Sequence, residues 1–198
     1  MATAATDARP ETRRFTGDEV MRMVEVGILG EDEKVELLDG TLWIVTPQGF
    51  DHGDVITRLT MTLVRTCPVG VLVRPQCPLV AGEYSLPEPD FAVLSQQAMD
   101  DGRAIRRHPK AADTFLLIEI VDTRRRDALR KSPVYAKAGA PRYWIVDIPK
   151  RHVEVLTEPR PDGSWGSTLR MTDDDALEPP WTDTTVAVRD VLPPLRAA

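Results

Sequence analysis

Apolar positions recur at helical spacing in two stretches of this chain, alternate around one tight turn, and crowd together without interruption in a later run. Thr16 and Glu19 fit a capping box ahead of Val20, Met23 and Val24, and Gly27 and Gly30 would end this short helix. Between Val35 and Val45 two apolar runs flank Asp39-Gly40, the preferred type I′ hairpin turn, and Pro47 closes the second strand. His52, Val55, Ile56, Leu59 and Leu63 form one stripe of a helix over residues 51–66. Short strands are expected at 70–73 and 78–80, with a turn around Pro75, then a loop over 82–87 and a strand at 91–94. Residues 95–112 are polar enough for a helix or a loop. Phe115 to Val121 is apolar except for Glu119, and a run without alternation suits a central strand covered on both faces. A helix over 127–138 is interrupted by Pro133 and closed by Gly139; the alternative is a helix that starts at Ser132 with Pro133 in its first turn. Strands at 142–147 and 152–156 follow, and β-structure with loops takes up the rest, through Trp165, Trp181 and Val186 to Val188. The order predicts an α/β fold: a mixed sheet flanked by helices, with an N-terminal helix and hairpin.

Length and charge narrow this picture. A chain of 198 residues is expected to form one domain, here over 14–195, behind a disordered tail at 1–13. No apolar run approaches a membrane span, and the N-terminus lacks the apolar core of a signal peptide, so a cytoplasmic protein is expected. Cys67 and Cys77 each precede a proline and are too few for a structural zinc site; they are read as ordinary residues. The net charge of −6 counts against a large, passive DNA-binding surface. It does not count against an enzyme whose acidic site meets phosphate through a metal and a local arginine cluster. The Gly-rich nucleotide-binding patterns, the Gly-x-Ser-x-Gly elbow and His-Glu-x-x-His are all absent, which sets aside the commonest nucleotide-binding, α/β-hydrolase and zinc-protease chemistries.

The chemistry concentrates in Pro89-Asp90 and in the stretch from Glu119 to Lys131. Asp90 heads one short apolar run and Glu119 interrupts another. Burying an unpaired carboxylate costs several kcal/mol, so Glu119 needs a cation, a metal or a raised pKa. An arginine from 124–126 would meet that need as a plain structural pair. Lys131 shares a helical stripe with Ala128, Tyr135 and Ala138, and an ammonium on that inward face should point at something negative. The competing arrangement is a surface pair with Asp127 at i,i+4 spacing. Glu36 is either the solvent-facing member of its strand or a further metal or water ligand. His52 is either a satisfied core histidine or a phosphate contact. Arg124, Arg125 and Arg126 sit at the start of a helix, where cations oppose the dipole. A solvated turn explains them, and so do facing phosphates. Two acids at neighbouring strand ends with a cation nearby are the minimum of a metal-dependent phosphodiesterase.

An ordered set of segments gives the chain a resemblance. Phe15-Thr16, Glu36 to Gly40, His52, Glu88-Pro89-Asp90, Glu119 with Asp127, Lys131 to Pro141, and Tyr143 to Asp147 together resemble the Uma2-type restriction endonucleases, a bacterial branch of the PD-(D/E)xK nuclease superfamily. The resemblance spans residues 15 to 147. It implies a restriction-endonuclease-like core and a Mg²⁺-dependent DNA endonuclease, with Mn²⁺ as a substitute metal. Asp90 and Glu119 match the family's metal-binding acids. Val121 stands where the superfamily usually has its lysine, and Lys131 matches the lysine this family carries on the following helix. Glu36 and His52 match further polar positions. Asp122 departs from the family, which often has serine there. On this reading Asp90, Glu119 and the Val121 carbonyl hold the metal, Lys131 steadies water or phosphate, and Arg124, Arg125 and Arg126 contact the DNA backbone. A homodimer would cut both strands of a duplex, with no organic cofactor and no membrane partner. The rival readings are a non-catalytic binding or regulatory module on the same fold, and a metal phosphoesterase acting on small nucleotides.

Overall fold

A computed structural model describes residues 12–30, 32–45, 47–123 and 125–194. Residues 1–11 of the expected tail over 1–13 lie outside the described residues, as do Arg124 and the side chain of Arg125.

The first helix, α1 (Gly17–Glu25), starts at Thr16, whose side chain accepts from Glu19 N while the Glu19 carboxylate accepts from Thr16 N, so two orphan donors are satisfied reciprocally. β1 (Val35–Leu38) and β2 (Thr41–Ile44) form a separate two-stranded hairpin. Asp39 and Gly40 both have positive φ, as a type I′ turn demands. α2 (Phe50–Thr66) buries His52, Val55, Leu59 and Leu63, the expected stripe.

The main sheet has six strands in the order β3-β4-β5-β6-β7-β8. These are β3 (Val71–Pro75), β4 (Phe91–Ser95), β5 (Thr114–Val121), β6 (Arg142–Asp147), β7 (His152–Pro159) and β8 (Trp165–Thr172). Among the described strands of this sheet, β5 and β6 alone run parallel, and the crossover between them carries α4 (Arg125–Lys137). α3 (Gln96–Ala104) links β4 to β5 behind a Ser95 cap. Near the C-terminus, β9 (Ala176–Leu177) pairs with β10 (Val186–Ala187), and α5 (Val188–Val191) follows. Among the described residues, no helix is long and apolar enough to cross a membrane.

The continuous apolar run in β5 has the predicted cause. Leu116, Ile118 and Ile120 pack with Val55, Leu59 and Leu63 of α2 on one face. Leu117 and Val121 pack with Ala128, Val134 and Tyr135 of α4 on the other. By the two-residue period of a strand, Glu119 belongs to the α4-facing set.

Several sequence expectations shift. Residues 78–80 form no strand; Val80 makes only an isolated bridge to Lys110. β3 runs through Pro75, and the turn falls at Gln76, which has positive φ. α4 does not start at Ser132: it begins six or more residues earlier and carries Pro133 in its interior. Burial of Ala128, Val134 and Tyr135 against the sheet offsets the lost backbone hydrogen bond there. Val188 opens a short helix rather than extending β-structure.

Candidate functional site

Asp90 and Glu119 meet because β4 and β5 are antiparallel neighbours. Phe91 is registered with Ile118, so the residue before Phe91 comes beside the residue after Ile118. Asp90 Oδ2 accepts from Ile120 N at 2.7 Å. Its Oδ1 lies 3.0 Å from His52 Nε2 and 3.5 Å from Gln48 Nε2. His52 is thus the satisfied buried histidine of the first alternative, and its partner is the Asp90 carboxylate. It reaches from the first turns of α2 to hold Asp90 in place.

Glu119 projects from the α4-facing side of β5 and is met by two donors. Lys131 Nζ lies 3.0 Å from Glu119 Oε1, and Tyr135 Oη donates to the same oxygen at 2.8 Å. Lys131 Nζ also lies 2.9 Å from Glu36 Oε1 and donates to the Glu88 carbonyl at 2.8 Å. Its three N–H donors are therefore all engaged. The surface pairing with Asp127 does not form, because Asp127 bonds Arg130 at 3.2 Å and Lys131 turns inward. Glu36 likewise faces in, not out to solvent. Glu36, His52, Asp90, Glu119 and Lys131 are all buried. They line one cleft of about 760 Å³.

Burial dominates the electrostatics of this cluster. It pushes Glu119 up to about 8, against the pull of the Lys131 ammonium. It raises Glu36 and Glu88 as well, again against Lys131. For Lys131, burial works downward, but Glu119 and Glu36 outweigh it and hold the ammonium above its ordinary range. Burial and the nearby Glu119 keep the Tyr135 phenol protonated, as its role of donor requires. Two carboxylates against one buried cation leave Glu119 favouring its proton in the folded protein. A raised folded-state pKa stabilises fully below the unfolded value near 4.5, and that stability is lost as pH rises through about 8. Urea denaturation of the metal-free protein between pH 5 and 9 is expected to show this decline. Glu119→Gln is expected to flatten it; an unchanged slope would mean that Glu119 does not carry the proton.

The Val121 carbonyl does not serve as expected. It accepts from Ile148 N at 2.9 Å, on the β6 side of β5 and away from Asp90. Successive residues of a strand turn their peptide groups to opposite neighbours. Ile120, whose N–H meets Asp90 and which lines the cleft, is the residue on the correct side. Arg126 is exposed and does not line the cleft, whereas Arg130, one turn on, does. Asp122 also lines the cleft. Its Oδ2 lies against Gly49, the N-cap of α2, where a Cβ would stand 2.6 Å away. A carboxylate there complements the helix dipole.

Asp90 and Glu119 are the pair whose oxygens could hold a divalent cation. Among the described residues, no three His, Cys, Asp or Glu side chains form a metal cage. Two carboxylates are the kind of sparse oxygen set that a hard divalent cation accepts when waters fill its other positions. Residues that the sequence reading missed are Tyr135, Gln48, Trp43 and Arg130. Tyr135 had a signal, its place one turn beyond Lys131 on the inward stripe. Gln48 had none, since its loop gives no period.

Comparison with known proteins adds to this geometry. The model of the family described as "Uma2: Putative restriction endonuclease" matches residues 18–186. No curated protein matches the chain. Among solved structures, one similar fold is the crystal structure of a "putative nuclease belonging to DUF820" from Anabaena variabilis ATCC 29413. It superposes with a TM-score of 0.66 at 15% identity, covering 89% of this chain and 97% of that one.

Proposed function

The chain belongs to the Uma2 family of restriction-endonuclease-like proteins, and from that premise we propose that it is a Mg²⁺-dependent endonuclease that hydrolyses phosphodiester bonds of DNA. The observation that carries this reading is the convergence of Asp90, Glu119 and Lys131, from three separate elements, on one cleft. Asp90 and Glu119 would hold Mg²⁺, with Mn²⁺ as a substitute. When bound, the ion supplies a water of lowered pKa and offsets charge on the phosphate.

The chain's own residues do the rest. His52 and Gln48 orient Asp90; Tyr135 orients Glu119. Lys131 brings the cation to the scissile phosphate or to the attacking water. Since its donors are already committed, a phosphate oxygen must replace one of its present acceptors. Glu36 retains the ammonium at the cleft while that exchange happens. Arg130 meets the backbone inside the cleft, and Arg126 is free to meet it outside.

Cleavage of plasmid and oligonucleotide DNA with Mg²⁺ or Mn²⁺, against a chelator control, tests the reading. Metal-dependent products that vanish with the chelator are expected. One observation favours the rival, a binding module on the same fold: Lys131 already pairs with both Glu36 and Glu119. A folded protein that binds no divalent ion and cuts no DNA would establish that rival.

A further inference from the structure

The hairpin brings more than Glu36 to the cleft. Trp43 is registered directly across from Glu36, and opposed residues of an antiparallel pair share a face. Trp43 therefore stands beside the carboxylate that holds Lys131, and it lines the same cleft. Arg130, the chain neighbour of Lys131, lays its guanidinium 3.6 Å from the centroid of the Trp43 ring. The same guanidinium donates to Asp127 Oδ1 at 3.2 Å, which helps to hold it there.

Trp43 is not part of the packed core. It belongs to none of the three core clusters, and 38% of its surface remains in solvent. The opposite face of the hairpin does the packing, through Leu37 and Leu42 against Val20 and Leu86. A large indole kept out of the core, clamped by an arginine and set next to a buried lysine needs another partner.

We propose that Trp43 and Arg130 form a stacking platform for an unpaired nucleobase, so that the substrate is single-stranded or locally unpaired polynucleotide and not intact duplex. This rests on the phosphodiesterase reading above and narrows its substrate class. A base inside a duplex has both faces covered by its neighbours, and only one out of the stack can offer a face to Trp43. Stacking on an aromatic ring tolerates any base, and the guanidinium adds a cation–π contribution. Because Arg130 already orients the ring, little side-chain freedom remains to be lost on binding. The net charge of −6, which counts against a large, passive duplex-binding surface, fits as well, because stacking adds contact that does not depend on phosphates. The twofold dimer suited to cutting both strands is then not required.

The test is equilibrium binding of fluorescein-labelled DNA of about 15 nucleotides, a length that spans a typical single-strand site. It compares the strand alone, the same strand as duplex, and the same strand with abasic sites, all in Ca²⁺ to hold off cleavage. Wild type is expected to bind the single strand about tenfold tighter than either duplex or abasic strand. Trp43→Ala is expected to lose about the same factor for the single strand, and Trp43→Phe to keep most of it. The abasic comparison uses wild type alone, so a poorly folded variant cannot obscure the answer. Equal affinity for intact and abasic strands, or duplex bound as tightly as single strand, would overturn the platform. The same samples in Mg²⁺ separate the two claims. Cleavage that ignores both Trp43→Ala and abasic sites sinks the platform and leaves the nuclease. Base-dependent binding without cleavage does the reverse.

Discussion

Lys131→Met is expected to lower DNA cleavage by about a thousandfold, the scale of losing one preorganised charge at a developing anion. Methionine keeps the length of the side chain and removes the ammonium, so packing beside Ala128 and Tyr135 is largely preserved. The stability cost depends on pH. Removing one partner of a buried pair costs about 3–5 kcal/mol when the other charge stays ionised. Here Glu36 and Glu119 would both lose their cation, and burial already raises each. Below pH 5 both can hold protons, and the variant should approach wild-type stability; the gap should open as pH rises towards 9. Single-turnover cleavage and urea denaturation at the two pH values read the two effects separately. Cleavage within tenfold of wild type would remove Lys131 from the machinery, whatever the stability data show.

Asp90→Asn is expected to abolish measurable Mg²⁺ and Mn²⁺ binding by calorimetry and to reduce cleavage by at least about a hundredfold. The amide oxygen can still accept from Ile120 N, now 2.7 Å from Asp90 Oδ2, so the fold should lose only about 1 kcal/mol. What disappears is the carboxylate charge that stands beside Glu119 at the strand ends. In wild type, metal binding must also displace the proton that Glu119 favours, so affinity should climb as pH rises towards about 8. Calorimetry in two buffers of different ionisation enthalpy would register that proton. Unchanged metal heats in Asp90→Asn would place the ion elsewhere, and the reading of Asp90 and Glu119 as its ligands would fall.

Most elements were legible in the sequence because their signals are local. The capping box at Thr16, the Asp39-Gly40 turn, the α2 stripe and the non-alternating apolar run of β5 around Glu119 each act through neighbouring residues. The failures were also physical. Residues 78–80 are apolar enough for a strand but find no continuous partner, and strand status depends on that partner. Pro133 suggested a break in α4, yet the helix is held through it by burial on the sheet.

The site divides in the same way. Sequence alone determined which side chains carry charge and placed Glu119 inside an apolar run and Lys131 at helical spacing from Ala128, Tyr135 and Ala138, with an inward or a surface position for the lysine left open. It also supplied the ordered segments that mark the family. Only the tertiary structure decided who meets whom. The antiparallel register of β4 and β5 sets Asp90 beside Glu119, and the parallel crossover drops Lys131 and Tyr135 onto the same carboxylate. It turned the Val121 carbonyl to β6 and gave Ile120 the side facing Asp90. It also set Trp43, from a hairpin outside the main sheet, against Arg130 of α4. Periodicity reports which face of an element a residue occupies. Contact between elements far apart in the chain follows from register and packing, which no local pattern encodes.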